Sequence, residues 1–88
     1  MMNLAWHEKA WDDYIYWQTQ DKKTLKRVNM LIKDILRDPY NLDGLGKPEV
    51  LTEDLSGYYS RRIDGSNRIV YKARGEFVII YSCRGHYN

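Results

Sequence analysis

One cysteine, two prolines and two histidines are spread over 88 residues, and there is no long apolar run. Each scarcity removes a class of function. Cys83 alone cannot close an internal disulfide, and one thiol with two histidines falls short of a structural zinc site, so neither a metal nor a cofactor is expected. No apolar stretch approaches the roughly 20 residues of a bilayer-spanning helix, and no charged-then-apolar leader opens the chain; no membrane association is expected, and the expected location is cytoplasmic. Internal repeats and low-complexity segments are absent. A single domain over residues 1–88 is expected, because a second core would have too few residues left to enclose it. With 43% apolar and 30% charged residues, the composition is that of a folded chain.

Charge is nearly balanced overall, at +2, but not along the chain. Through Leu45 basic and acidic residues are equal in number. From Ser56 onward Arg61, Arg62, Arg68, Lys72, Arg74 and Arg84 face only Asp64 and Glu76. Arginine is the side chain suited to bidentate phosphate contacts, and a local excess of it is the footprint of a polyanion-facing surface. A solvated sheet edge would show the same charges.

The first half reads as helical after a short opening strand around Asn3–Trp6. Ala10, Trp11, Tyr14, Trp17 and Gln18 recur at helical spacing, with Asp12, Asp13 and Tyr16 off that stripe. Asp21 is placed to cap a second helix, whose apolar stripe is Leu25, Val28, Leu31, Ile32, Ile35 and Leu36. Pro39 stops it. Two helices separated by about three residues form an antiparallel hairpin. The aromatic series Trp6, Trp11, Tyr14 and Trp17 reads as core.

Residues 41–48 form a turn-rich linker, after which the period changes. Residues 49–53, 58–64, Arg68–Arg74 and 77–83 are short runs rich in aromatic and β-branched residues, punctuated by Gly57, the 64–67 turn and Gly75-Glu76. The expected fold is α+β, a helix hairpin packed on one face of a small antiparallel β-sheet. Parity adds a constraint. An odd-length turn over 65–67 sets Ile63 against Ile69 and gathers Arg62, Asp64 and Arg68 on the opposite face, whereas a two-residue turn mismatches both faces. The run 77–81 does not alternate and leaves its facing open.

Few residues could carry chemistry. His86 lies just beyond the last strand and His7 opens the first helix; Glu49 follows Lys47-Pro48 at the entry to the first sheet strand. Each alone reads equally well as a surface residue. Together, one carboxylate, one imidazole and converging arginines are the minimal set for metal-free cleavage of RNA through its own 2′-hydroxyl. That reaction needs a base, an acid and cations for the charge growing on phosphoryl oxygens.

Trp11-Asp12-Asp13-Tyr14, Asp21-Lys22-Lys23, Leu31-Ile32-Lys33-Asp34, Gly46-Lys47-Pro48-Glu49, the 55–63 segment (LSGYYSRRI), Arg68-Ile69-Val70-Tyr71 and the closing His86-Tyr87 occur in an order and spacing that resemble the YoeB toxins of the RelE/ParE superfamily. The resemblance spans essentially the whole chain. It implies the RelE/YoeB-like microbial RNase fold and a ribosome-dependent mRNA endonuclease acting in the ribosomal A site, neutralised by a YefM/Phd-type antitoxin. Homodimers also occur among such toxins. By position, Glu49 resembles the family's general base, His86 its general acid, Arg68 the arginine that stabilises the transition state and Tyr87 the tyrosine that positions substrate. Arg62 matches a phosphate-facing arginine, and Lys47 and Arg61 are expected beside it as substrate contacts. Products would be a 2′,3′-cyclic phosphate and a 5′-hydroxyl.

The chain departs from that pattern at Thr52, where a lysine is common, at His7, where a serine commonly caps the first helix, and at Asn88, which follows the usual terminal tyrosine. Two other readings remain. One is a toxin of the same fold that acts on DNA gyrase, as in the ParE branch, which would not need Glu, two Arg, His and Tyr together. The other is a non-catalytic module holding nucleic acid or an acidic peptide.

Overall fold

Asp21 is the pivot of the helical half. A computed structural model describes residues 1–86. In it β1 (Asn3–Trp6) leads into α1 (Glu8–Gln20) and α2 (Lys22–Arg37), with Asp21 as the sole connector, shorter than the expected three residues. Its amide closes α1 on the Trp17 carbonyl (3.1 Å) while its carboxylate accepts from the Thr24 amide (3.1 Å) and hydroxyl (2.7 Å), capping α2. Those Thr24 hydrogen bonds hold the carboxyl below its usual range. α2 buries Val28, Leu31, Ile32 and Ile35, along the stripe read from the sequence, and ends at Arg37 ahead of Asp38-Pro39.

α1 is rotated from the expected stripe. Its buried residues are Ala10, Asp13 and Trp17, while Trp11 stays 46% exposed against Trp6 and Tyr14. The cause is polar: Asp13 turns inward to accept from the Cys83 amide (3.0 Å) and the Lys9 ammonium (2.7 Å). His7 stands at the N-cap without a side-chain capping bond, stacked on Tyr81.

The remaining elements are β2 (Glu49–Val50), a 3-10 turn (Glu53–Leu55), β3 (Tyr59–Arg62), β4 (Arg68–Arg74) and β5 (Phe77–Ser82). They form one sheet in the order β1-β5-β4-β3-β2. Pairing is antiparallel except that β1 runs parallel to β5, so the sheet is mixed rather than wholly antiparallel. With β1 on one side and β4 on the other, β5 is an internal strand. That explains its unbroken apolar run: Val78 and Ile80 are fully buried toward the helices, and Ile79 is half-buried on the other face. Ile63, Ile69, Tyr71, Val78 and Ile80 meet Val28, Leu31 and Ile35 of α2 to form the core.

The β3–β4 loop has the expected odd length but spans residues 63–67, so Arg62 lies directly opposite Arg68 and Arg61 opposite Ile69. Ile63 instead donates its amide to the Asn67 carbonyl (3.0 Å). Among the described residues no helix is long and apolar enough to cross a membrane.

Candidate active site on the arginine face

Cross-strand partners in a sheet point to the same side, and so do residues two apart along one strand. Glu49 is opposite Ser60, Ser60 opposite Val70, and Arg62 opposite Arg68. Glu49, Arg62 and Arg68 therefore share the face turned away from the helices. Glu49 and Arg62 are exposed, while Arg68 is only 9% exposed.

Arg68 is held from below. Its Nη1 donates to the Asp64 carbonyl (2.6 Å) and the Asn67 carbonyl (3.1 Å). These neutral acceptors anchor one edge of the guanidinium without cancelling its charge. Asp64 organises the turn by accepting from the Ser66 and Asn67 amides, each at 2.8 Å. Burial pushes the Asp64 carboxyl up, but these hydrogen bonds and the Arg68 charge outweigh it and keep the group below its usual range.

His86 is brought to the same corner by backbone. The Gly85 amide donates to Asn67 Oδ1 (2.7 Å) and the Arg68 amide donates to the Gly85 carbonyl (3.0 Å), so the residue next in chain is His86. Lys47 arrives by a different strap. The Arg62 amide donates to the Gly46 carbonyl (2.6 Å), and Gly46 (φ 80°) and Lys47 (φ 49°) both lie in the left-handed region. A Cβ on Gly46 would lie 2.8 Å from Leu31 Cδ2 and 2.9 Å from the Arg62 carbonyl. This tight turn delivers exposed Lys47, and two residues later Glu49, to the sheet edge.

Arg61 is not part of this face, which corrects the expectation that it contacts substrate. Strand alternation points it at the helices, where it is fully buried. Nη1 donates to Asp34 Oδ2 (2.6 Å) and the Leu45 carbonyl (2.9 Å), and Nε donates to the Tyr71 hydroxyl (3.2 Å), which donates onward to the Pro39 carbonyl (2.8 Å). The Arg61 hydrogen bond holds the Asp34 carboxyl below its usual range, and burial raises the Tyr71 phenol. Arg61 thus ties the 38–48 linker to the core. Tyr87, also expected at the site, lies outside the described residues.

Cys83 has no nucleophilic role to offer: burial, with the Asp13 charge, pushes its thiol up to about 12. Among the described residues no three His, Cys, Asp or Glu side chains converge as a metal-binding group. Residues that sequence reasoning missed are Asn67 and Asp64, which hold Arg68 and the His86 segment, and Asp13 and Trp17, which bond the backbone of Cys83. The Asp64-to-Asn67 spacing carried a turn signal but nothing that pointed to the C-terminus.

Known proteins share this architecture and most of its sequence pattern. A toxin YoeB from Synechocystis is 52% identical over 86 residues, covering 98% of each chain. A solved YoeB/ParE toxin from Agrobacterium tumefaciens superposes with a TM-score of 0.90 at 42% identity, over 98% of this chain and all of that one. YoeB from Staphylococcus aureus matches in a heterotetrameric complex with YefM (TM-score 0.87, 44% identity, 99% of each chain) and as a dimer (TM-score 0.88, 44% identity, 98% of each chain). The family model describing a YoeB-like toxin of bacterial type II toxin–antitoxin systems matches residues 6–87, and the chain belongs to that family.

Proposed function

We propose that the chain is the toxin of its toxin–antitoxin pair by virtue of being a ribosome-dependent mRNA endonuclease. The observation that carries this reading is the register: Glu49, Arg62 and Arg68 share one sheet face, and Gly85 hydrogen-bonds the Arg68 amide immediately before His86.

In this mechanism Glu49 takes the proton from a 2′-hydroxyl of mRNA in the A site. The freed oxygen attacks the adjacent phosphorus, the bond from phosphorus to the 5′-oxygen breaks, and His86 gives that oxygen a proton. The fragments carry a 2′,3′-cyclic phosphate and a 5′-hydroxyl. Glu49 must start ionised and His86 protonated, so the rate falls on both sides of an optimum. Arg68 and Arg62 stabilise charge on the non-bridging oxygens, which is greatest in the transition state. Lys47 contacts a neighbouring phosphate and Tyr87 orients the substrate. No step needs a metal.

A YefM-like antitoxin is the natural partner, since the related Staphylococcus aureus toxin forms a complex with YefM, and a homodimer is the proposed free form by the same comparison. Work on translating ribosomes implies a cytoplasmic location. End-group analysis of mRNA cut on programmed ribosomes tests the reading. A 2′,3′-cyclic phosphate and a 5′-hydroxyl are expected; a 3′-hydroxyl product, or intact RNA alongside inhibited gyrase, contradicts it.

A further inference from the structure

The segment that carries His86 is caught repeatedly before it reaches that residue. Two of the contacts come from α1: Asp13 Oδ2 accepts from the Cys83 amide (3.0 Å), and Trp17 Nε1 donates to the Cys83 carbonyl (2.8 Å). Two come from the junction of the 63–67 loop with β4: Asn67 Oδ1 accepts from the Gly85 amide (2.7 Å), and the Arg68 amide donates to the Gly85 carbonyl (3.0 Å). Gly85 has φ 85°, so the chain turns there through a conformation that glycine alone adopts without strain.

Asn67 differs from the other anchors because it bonds Arg68 as well as the residue that precedes His86. Its side-chain oxygen holds the residue preceding His86, while its backbone carbonyl accepts from Arg68 Nη1 (3.1 Å). Its Nδ2 donates to both carboxylate oxygens of Asp64 (3.1 and 3.2 Å), whose own carbonyl is the other acceptor for Arg68 Nη1. Donor and acceptor ends of the amide are thus both committed, which fixes its orientation.

We propose that Asn67 is a positioning residue that sets His86 relative to Arg68, acting through the Gly85 amide. This rests on the assignment of His86 as general acid and Arg68 as transition-state stabiliser. An acid must lie within hydrogen-bond reach of the leaving oxygen, and a displacement of about 1 Å costs up to roughly 10²-fold in rate. Loss of the amide oxygen releases one of the two ties at Gly85 and leaves Glu49, Arg62 and Lys47 on their own anchors.

A double-mutant cycle on programmed ribosomes tests it, with single-turnover cleavage by the parental chain, Asn67→Ala, His86→Gln and the pair. Asn67→Ala is expected to lower the rate by about 10-fold or more without changing the ribosome concentration that gives half-saturation. In the His86→Gln background it is expected to cost less than about 2-fold, because there is no acid left to position. Asn67→Ser, whose oxygen stops one bond short, carries the same expectation should the alanine variant fail to fold by thermal melting. A parental rate in the folded Asn67 variants beside a slow His86→Gln overturns this proposal alone, as do losses that multiply in the pair. A parental rate for His86→Gln overturns the catalytic assignment and this inference together.

Discussion

Arg61 and Arg62 are chemically identical neighbours whose environments divide their work. Arg61 is a fully buried cation whose Nη2 has no hydrogen-bond partner among the described residues, so its burial is balanced by Asp34, Leu45 and Tyr71. Replacing it by methionine leaves the Asp34 carboxylate without its closest cation. The expected loss is about 3 kcal/mol, at the low end for a broken buried pair because Asp34 keeps some contact with water. That is a fall in melting temperature of about 12–24 °C for a domain of this size. An unchanged melting temperature would contradict the buried role. Acid titration gives the sign of the same interaction. The Asp34 and Asp64 carboxyls are lower in the folded than the unfolded chain, so their contribution is present above the unfolded value near 3.8 and disappears as pH falls through the folded values. Asp34→Asn is expected to flatten that acid limb in pH-dependent melts. Arg62 one residue on is exposed, and Arg62→Ala is expected to leave the melting temperature within about 2 °C while slowing cleavage. The sequence reading expected both arginines at the substrate, although neighbours in one strand face opposite ways and parity already set Arg62 on the face away from Ile63; burial of Arg61 settles which of the two faces the core.

Between the second helix and the sheet, the strap at Gly46 shows how an element's position depends on a single missing side chain. Gly46→Ala puts a methyl group against Leu31 and the Arg62 backbone at a positive φ. The expected cost is about 1–3 kcal/mol of stability. The turn is also expected to shift off Arg62, so cleavage falls more than melting predicts, because Lys47 and Glu49 follow directly. Equal activity per folded molecule would separate the strap from the site. At this scale legibility tracked locality. The α2 stripe, the Asp21 cap and the stop before Pro39 are local signals, and the structure reproduces them. Parallel pairing of β1 with β5 joins the two ends of the chain, and no local pattern announces it. The inward turn of Asp13 was hidden for the same reason, because its partner is the amide of Cys83.

Across the whole molecule the helices cover one face of the sheet, and the arginine-rich second half of the chain supplies much of the other. A YefM-like antitoxin segment that neutralises the toxin is expected to cover Arg62 and Arg68 with acidic side chains. Its affinity should then fall as salt rises from about 0.05 to 0.5 M, since the exposed part of such pairing is screened. Salt-independent binding, or a complex that leaves this face open, would contradict that placement. Glu49, Arg62, Arg68, His86 and Tyr87 were expected as a set from the residue types and, position by position, from the family's motif; strand register explains why Glu49, Arg62 and Arg68 share a face. The most direct test of the catalytic account is single-turnover cleavage on programmed ribosomes across a pH series for Glu49→Gln and Arg68→Lys. The glutamine variant lacks only a base, so its defect should shrink as pH rises. The lysine variant keeps charge but loses the planar fork, so it should remain slow at every pH, by about 10²–10³-fold as for other lost transition-state donors. Parallel pH profiles for the two, or a loss confined to ribosome binding, would contradict the roles assigned to them.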